Sequence, residues 1–481
     1  MKAIKKHEFH SSILRAYDIR GIYNETLFDN DGYFLGKCFA SFLKNNRQGK
    51  IVVACDGRLS SPLLKERLIH GLKSSGLHVI DAGLGPTPML YFALHNLNCD
   101  AGIMVTGSHN PGNHNGFKMM LKDRPFFGDD ITNLTKILDD NDFYDGQGVL
   151  ETADVKDEYV ERILQDCLLA KESSELLDEI DEFKPYKKLK IAWDSGNGAG
   201  GEIMKILSKR IYGDHEIMFE EIDGNFPNHH PDPTVPSNLV DLIARVKNTK
   251  CDIGIAFDGD ADRIGIVDDE GEIIWGDQLM VFFAREILLN NKNATIIADV
   301  KASKILFDEI VKNSGKAIMW KTGHSLIKSK MKETNALLAG EMSGHIFFAD
   351  KYYGFDDALY AAIRIINILA LSNKSLSQMR KELPITFSTP EIRIDCSDEK
   401  KFKIVEELKI SLKKSGENFN DIDGVRVDSS KGWWLIRASN TQPVLVARCE
   451  GYSLQSLKSL KLSLREKLLD FSLEIPKELE V

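Results

Sequence analysis

The chain has 481 residues, which at roughly 150 residues per domain leaves room for three or four domains. Its 62 Lys plus Arg against 72 Asp plus Glu leave a net charge of −10, which argues against the sequence-independent electrostatics of nucleic-acid binding. An apolar fraction of 43% with 28% charged residues excludes disordered and fibrous classes and suits a chain able to bury sizeable cores.

The first segment, MKAIKKHEFHSSILRAYDIRG, has basic residues but not the apolar stretch of a secretory signal. No apolar run approaches the ~18 residues of a membrane span. The seven cysteines are scattered without a C-x-x-C pair, so reduced thiols in a cytoplasmic protein without membrane contact are expected.

A strand, amphipathic helix and second strand are then predicted three times: from IVVACDGRLSS (51–61), from LKIAWDSGNGAGG (189–201) and from TIIADVKASK (295–304). This spacing predicts three related α/β domains with ligand-facing loops after the strand ends. After the first repeat comes VTGSHNPGNHNGFK (105–118), too rich in Gly, Asn and Pro for a regular element. Ser108 lies there between Gly107 and His109, where neighbouring backbone N–H groups could hold an anion. A serine at neutral pH needs a base, or a phosphate already attached, to do chemistry. An ordinary Ser/Asn turn would also account for the segment.

In the second repeat, Gly196-x-Gly198-x-x-Gly201 follows a strand, with Glu220 further on, and formally satisfies a dinucleotide fingerprint. Downstream, IGIAFDGDADRIGIVD (253–268) places Asp258, Asp260 and Asp262 between two apolar strands. Carboxylates this close repel one another unless a cation sits among them. An EF-hand would need Gly where Arg263 stands and Glu where Asp269 stands. Mg²⁺ held by a few carboxylates and a phosphate oxygen fits better, with an acidic hairpin turn as the plain alternative.

After the third repeat, LLAGEMSGHIFF (337–348) alternates Glu341, Ser343 and His345 between strand-like flanks, which predicts all three on one face. That mixture of donors and acceptors suits a sugar, or else a satisfied polar cluster. The apolar stretch around Ala361 to Leu371, interrupted by Arg364 and Asn367, is predicted to be a core helix. Past Pro384 the order becomes a strand (EIRID), a charged helix (398–415), three close strands and a last helix (454–470), an α+β arrangement with a mainly antiparallel sheet. Within it, GWWLIRASNTQP (432–443) combines Arg437 with Ser439, Asn440 and Thr441, groups able to clamp a phosphate. The predicted domains are 1–152, 153–268, 269–383 and 384–481.

Together RAYDIRG (15–21), TGSHNP (106–111), DGDADR (258–263), KTGHS (321–325), GEMSGH (340–345) and RASNTQP (437–443) resemble the α-D-phosphohexomutase superfamily, most closely its bacterial phosphomannomutase/phosphoglucomutase branch. The resemblance spans nearly the whole chain. It implies four domains around a central cleft, the first three α/β with mixed sheets and the last α+β. Ser108 would be the phosphoserine, with Asp258, Asp260 and Asp262 holding Mg²⁺ together with its phosphate. Arg263 and Arg20 would stabilise charge, His109 would lie beside the phosphoserine, and Lys118 would be the general acid/base, with His109 and His324 as the alternative groups to take the proton. Tyr17, Lys301, His324, Glu341, Ser343 and His345 would contact the sugar, and Arg437, Ser439, Asn440 and Thr441 the phosphate that is not transferred.

The resemblance further implies a monomer acting on sugar phosphates, with neither nucleic acid nor membrane as partner. Hexose 1-phosphate and hexose 6-phosphate would interconvert through a hexose 1,6-bisphosphate, which would also prime the enzyme. The GEMSGH sequence points to mannose and glucose, for precursors such as GDP-mannose and for polysaccharide. Two departures from the family pattern stand out: Ala261 where Gly is common, and Gln442 where Thr is frequent. A phosphoglucosamine mutase, a non-catalytic binder on the same scaffold, and an NAD-dependent dehydrogenase using Gly196 to Gly201 are the competing readings.

Overall fold

A computed structural model describes residues 7–171, 186–440 and 442–480. Each predicted repeat is a parallel strand–helix–strand unit. The strands are Lys50–Cys55 with His78–Leu84, Lys190–Asp194 with Asp214–Met218, and Thr295–Asp299 with Lys316–Trp320. The helices between them are Ser61–Ser74, Gly201–Arg210 and Lys304–Lys312. Local chemistry sets their ends: Pro62 lies in the first turn of Ser61–Ser74, where its missing N–H costs nothing. The Ser303 side chain accepts from the Ile305 N–H at the start of Lys304–Lys312.

Each of these sheets is mixed because a hairpin follows the parallel strands. Ala101–Val105 pairs antiparallel with His114–Leu121, Ile253–Phe257 with Ile264–Asp268, and Leu338–Gly340 with Ile346–Phe348. The C-terminal unit is antiparallel throughout, and its hairpin pairs Gly432–Ala438 with Val444–Gly451. All four motif loops are therefore hairpin tips, opened by the pairs Val105 and Phe117, Phe257 and Ile264, Gly340 and Ile346, and Ala438 and Leu445.

One expectation is corrected. Glu341, Ser343 and His345 are not on a strand: the hairpin turns at 341–345, with the Glu341 N–H donating to the His345 carbonyl at 2.9 Å. Gly344 takes the left-handed φ of 91° that this turn requires.

The helix Ala358–Leu371 is buried nearly all round and runs through a core shared by the first three units. Its start is capped by Asp357, whose carboxylate accepts from the Tyr360 N–H at 2.9 Å. Arg364 stays inside the core because Asp350 accepts its Nη1–H at 2.8 Å. Asn367 bonds the backbone of Asp166 and Leu168. The C-terminal unit has its own core, built by the helices Asp398–Ser415 and Leu454–Asp470 against its sheet. All seven cysteines are buried, with none in a disulfide. Among the described residues, no helix is long and apolar enough to cross a membrane.

Candidate active site

The four hairpin tips converge on a cleft of about 630 Å³. Tyr17, Arg20, Ser108, His109, Lys118, Arg263, Lys301, His324, Glu341, Ser343, His345, Arg437, Ser439 and Asn440 all line it. Thr441 lies outside the described residues.

Ser108 sits in the left-handed region at φ 51°, a conformation that costs a non-glycine residue about 1–2 kcal/mol and persists only where its surroundings impose it. The imposing residues are Asp56 and Arg58, which the motif reading missed. Arg58 is 1% exposed. Its Nη2 donates to the Ser108 and Asn110 carbonyls at 2.6 Å each, and its Nη1 to those of Pro111 at 2.6 Å and His114 at 3.0 Å. The Asp56 carboxylate accepts from Arg58 Nε at 3.1 Å, Thr106 Oγ1 at 2.7 Å and the Gly107 N–H at 3.2 Å. The available signal was the triplet Asp56-Gly57-Arg58 directly after a buried strand.

The Ser108 hydroxyl donates to Asp258 Oδ2 at 3.2 Å and lies 3.2 Å from His109 Nδ1. Asp258, Asp260 and Asp262 are fully buried, and a carboxylate oxygen from each lies within 4.8 Å of the others. Burial first, then Asp262 and Asp260, pushes the Asp258 carboxyl well above the usual range. Burial acts the same way on Asp262, yet Lys118 and His345 hold it well below. The Lys118 ammonium donates to Asp260 Oδ2 at 2.7 Å and also to Asp262 Oδ2. Burial opposes its charge, and the two carboxylates more than offset that, holding it above the usual lysine range.

Oδ1 of Asp260 is buried without a hydrogen-bond partner, and Oδ1 of Asp262 has only the His345 imidazole near it, with Nε2 at 3.3 Å. Three close carboxylates with oxygens left open, beside a hydroxyl, fit a hard divalent cation. Gly259 lets the two tips touch, since a Cβ there would lie 2.5 Å from the Ser108 carbonyl oxygen.

On the far side, Arg437 Nε donates to Asp423 Oδ2 at 2.9 Å while its Nη2 is buried without a partner. Asn440 donates to the Tyr17 hydroxyl at 2.5 Å, which donates to the Thr322 carbonyl at 3.1 Å. Residues from the N-terminal, third and C-terminal units thus meet at Tyr17. Lys301 donates to Glu391 Oε2 at 2.9 Å. Glu391 is pulled down to about 2 because Lys301 outweighs the effect of burial. Burial, then Arg263 and Arg20, holds His109 well below the usual imidazole range. Burial, then Lys328 and Lys118, does the same for His324.

Family models of "Phosphoglucomutase/phosphomannomutase" match along nearly the whole chain. Alpha/beta/alpha domain I matches residues 11–145, domain II 157–271, domain III 275–387 and the C-terminal domain 391–467. The chain belongs to the phosphoglucomutase/phosphomannomutase family. It is a phosphohexomutase, of the isomerase class.

A phosphomannomutase/phosphoglucomutase of Pseudomonas putida is 45% identical over 458 residues, covering 95% of this chain and 96% of that one. A phosphoglucomutase of Neisseria gonorrhoeae is 43% identical over 442 residues, covering 91% and 92%. The crystal structure of a phosphoglucomutase/phosphomannomutase family protein from Burkholderia thailandensis superposes with a TM-score of 0.87 at 42% identity, covering 96% of this chain and 98% of that one. The N-acetylphosphoglucosamine mutase of Aspergillus fumigatus, solved with GlcNAc-6P and magnesium, shares the fold at 14% identity and a TM-score of 0.62, covering 97% of each chain.

The family places the glycine run outside any dehydrogenase reading, and its packing supplies the physical reason. The Ala199 N–H donates to the Gly259 carbonyl at 2.8 Å, and Gly198 lies against the same oxygen. These glycines seat the aspartate tip from below and leave no open phosphate cradle. Ala261 has φ 55°, which explains why glycine suits that position. Its methyl is fully buried opposite Gly200, where a second Cβ would approach to 2.8 Å.

Proposed function

We propose that this chain interconverts hexose 1-phosphates and hexose 6-phosphates, with mannose and glucose as the sugars, through a phosphorylated Ser108. The observation that carries the reading is that the Ser108 tip, beside three buried carboxylates, shares one cleft with the Arg437 tip and its unpaired guanidinium nitrogen. A phosphoryl donor and a phosphate clamp in one cavity suit a substrate with oxygens to phosphorylate at both ends.

In this reading Arg437, Ser439, Asn440 and Thr441 hold the phosphate already present, while Glu341 and Ser343 fix sugar hydroxyls and Lys301 adds positive charge. Tyr17 and His345 complete the sugar side of the cleft. The free hydroxyl oxygen attacks phosphorus, the bond from phosphorus to Ser108 Oγ breaks, and the hydroxyl proton passes to a base. His324, kept neutral by burial and by Lys328 and Lys118, is suited to take it. Arg20, Arg263 and His109 would neutralise charge on the transferring group, and Lys118, its ammonium at the aspartate tip, would return a proton. The bisphosphate then turns end for end and gives its other phosphate back to Ser108 Oγ.

Asp258, Asp260 and Asp262 would hold Mg²⁺ with an oxygen of the phosphoserine, and the bound ion would supply charge neutralisation at the phosphoryl group. A hexose 1,6-bisphosphate would prime an enzyme that has lost its phosphate. A monomer, a cytoplasmic location and sugar phosphates as the binding partners belong to the same reading.

The test is turnover of mannose 1-phosphate, glucose 1-phosphate and glucosamine 1-phosphate by wild type and by Ser108→Ala. Turnover of the first two, abolished in the variant, supports the reading. Exclusive turnover of the amino sugar would favour a phosphoglucosamine mutase, and full activity of Ser108→Ala would overturn the mechanism.

A further inference from the structure

The first and third repeats carry the same side chain at the same point behind their tips. In the first, Cys55 pairs with Val105, which opens the Ser108 tip; in the third, Ala298 pairs with Gly340, which opens the 341–345 tip. The residue after each is a buried aspartate, Asp56 or Asp299. Each carboxylate accepts a backbone N–H two positions past the opening residue: Asp56 from Gly107 at 3.2 Å, Asp299 from Met342 at 3.1 Å. The second repeat has Ser195 at this point, and its hydroxyl donates to the Phe219 carbonyl at 2.7 Å instead.

Asp299 differs from Asp56 in what its other oxygen holds. Oδ2 accepts from Thr322 Oγ1 at 3.1 Å, and Thr322 lies just past the neighbouring strand Lys316–Trp320. One carboxylate therefore spans the ends of both strands that flank its own, one oxygen to each.

Thr322 is itself a junction. Its carbonyl accepts from Tyr17, and its N–H donates at 3.0 Å to Asp423 Oδ2, the oxygen that takes Arg437 Nε. On the other side, Met342 lies between Glu341 and Ser343, so holding its N–H holds the backbone of both. Glu341 Oε1 accepts the Gly323 N–H at 2.5 Å, which leaves Oε2 with Ser343 Oγ at 3.3 Å. The Lys301 ammonium is 3.9 Å from Asp299, too far for a hydrogen bond, and donates to Glu391 instead.

We propose that Asp299 is a positioning residue whose two carboxylate oxygens tie the 341–345 tip to Thr322, and so set Glu341 and Ser343 at a fixed offset from Tyr17 and Arg437. The role in turnover rests on the mutase reading above; the tie between the two loops does not. A sugar held in two orientations needs its hydroxyl contacts at a constant distance from the phosphate clamp. Asp299 supplies that constancy through hydrogen bonds and not through its charge.

Two substitutions separate bonds from charge. In Asp299→Asn the amide oxygen takes the Met342 N–H while the N–H₂ donates to Thr322 Oγ1, since a hydroxyl also accepts. Both links survive and the charge goes. Asp299→Ala removes both links. The measurements, on the full chain, are peptide-level amide hydrogen exchange without substrate and steady-state turnover of glucose 1-phosphate.

Asp299→Ala is expected to speed exchange about tenfold or more in the peptide containing Met342 and to leave the Ser108 tip unchanged. Its kcat/KM should fall about 100-fold, the loss for about 1 Å of misplacement. Asp299→Asn should keep wild-type exchange and stay within about fivefold in kcat/KM. Thr322→Val, which cuts one link, should lose about tenfold. Glu341→Ala should cost about tenfold or more alone but less than about threefold on top of Asp299→Ala, because a carboxylate already misplaced has little left to lose.

Unchanged exchange or unchanged kcat/KM in a folded Asp299→Ala overturns the proposal, as do additive losses in the pair with Glu341→Ala. If Asp299→Ala fails to fold, a loss of about 100-fold in Asp299→Asn, or none in Thr322→Val, overturns it. If wild type turned over no hexose phosphate, the mutase reading would fall while the exchange data would still decide the tie.

Discussion

Replacing Arg58 by Met keeps most of the aliphatic stem and removes the guanidinium, which lies over the Phe226 ring and donates to four carbonyls of the Ser108 tip. The Pro111 carbonyl belongs to an exposed residue and can turn to water, but the Ser108 carbonyl and the Asp56 carboxylate are buried. Removing one partner of a buried ion pair costs about 3–5 kcal/mol, and Ser108 also stores about 1–2 kcal/mol in its left-handed backbone. A loss of about 3 kcal/mol lowers the population of the competent tip by about 100-fold. We therefore expect Arg58→Met to lose about 100-fold in kcat for glucose 1-phosphate. The measurement is a steady-state mutase assay, with circular dichroism to show that the sheets persist. Arg58→Lys should fall between, since one ammonium cannot span carbonyls that a planar fork reaches. A folded Arg58→Met with kcat within about threefold of wild type would refute the reasoning, because 1 Å of misplacement alone costs about 100-fold.

Gly259→Ala should lower turnover by about 100-fold, since its Cβ would press on the Ser108 carbonyl; near-normal kcat would show that the two tips need not touch. Treatment with a chelator should abolish most turnover and Mg²⁺ should restore it, a loss of about 100-fold or more; activity indifferent to chelation would remove the cation from the account. Burial raises Asp357 from the ordinary 3.8 to about 6 in the folded chain, so its penalty is absent below pH 3.8 and complete above pH 6. Asp357→Asn does not titrate, and its stability relative to wild type should rise by about 3 kcal/mol between those values and then stay flat. Thermal melts of both proteins across pH 4 to 8 read this slope, and a pH-independent difference would contradict it.

The α/β repeats were legible because apolar strands and amphipathic helices alternate at spacings that few other folds share. Likewise the C-terminal strands and the Arg364-bearing core helix follow from local pattern. The turn at Glu341 to His345 was not legible, because two glycines flanking alternating polar residues suit a strand as well as a hairpin tip. Asp56 and Arg58 escaped notice since their role is tertiary: one guanidinium reaches carbonyls about fifty residues away in the chain. Asp299 is similar, its partners coming from residues 322 and 342. Ala261 was visible as a departure, but only its positive φ explains why glycine suits that place.

The claim on which the rest depends is that Ser108 carries a phosphoryl group that moves to the sugar. Intact mass and peptide mapping of the purified chain, after incubation with glucose 1,6-bisphosphate and Mg²⁺, address it directly. The account predicts one added phosphoryl group on the peptide containing Ser108, which mannose 1-phosphate or glucose 1-phosphate then removes as bisphosphate forms. Turnover by a chain in which Ser108 never carries phosphate would contradict it.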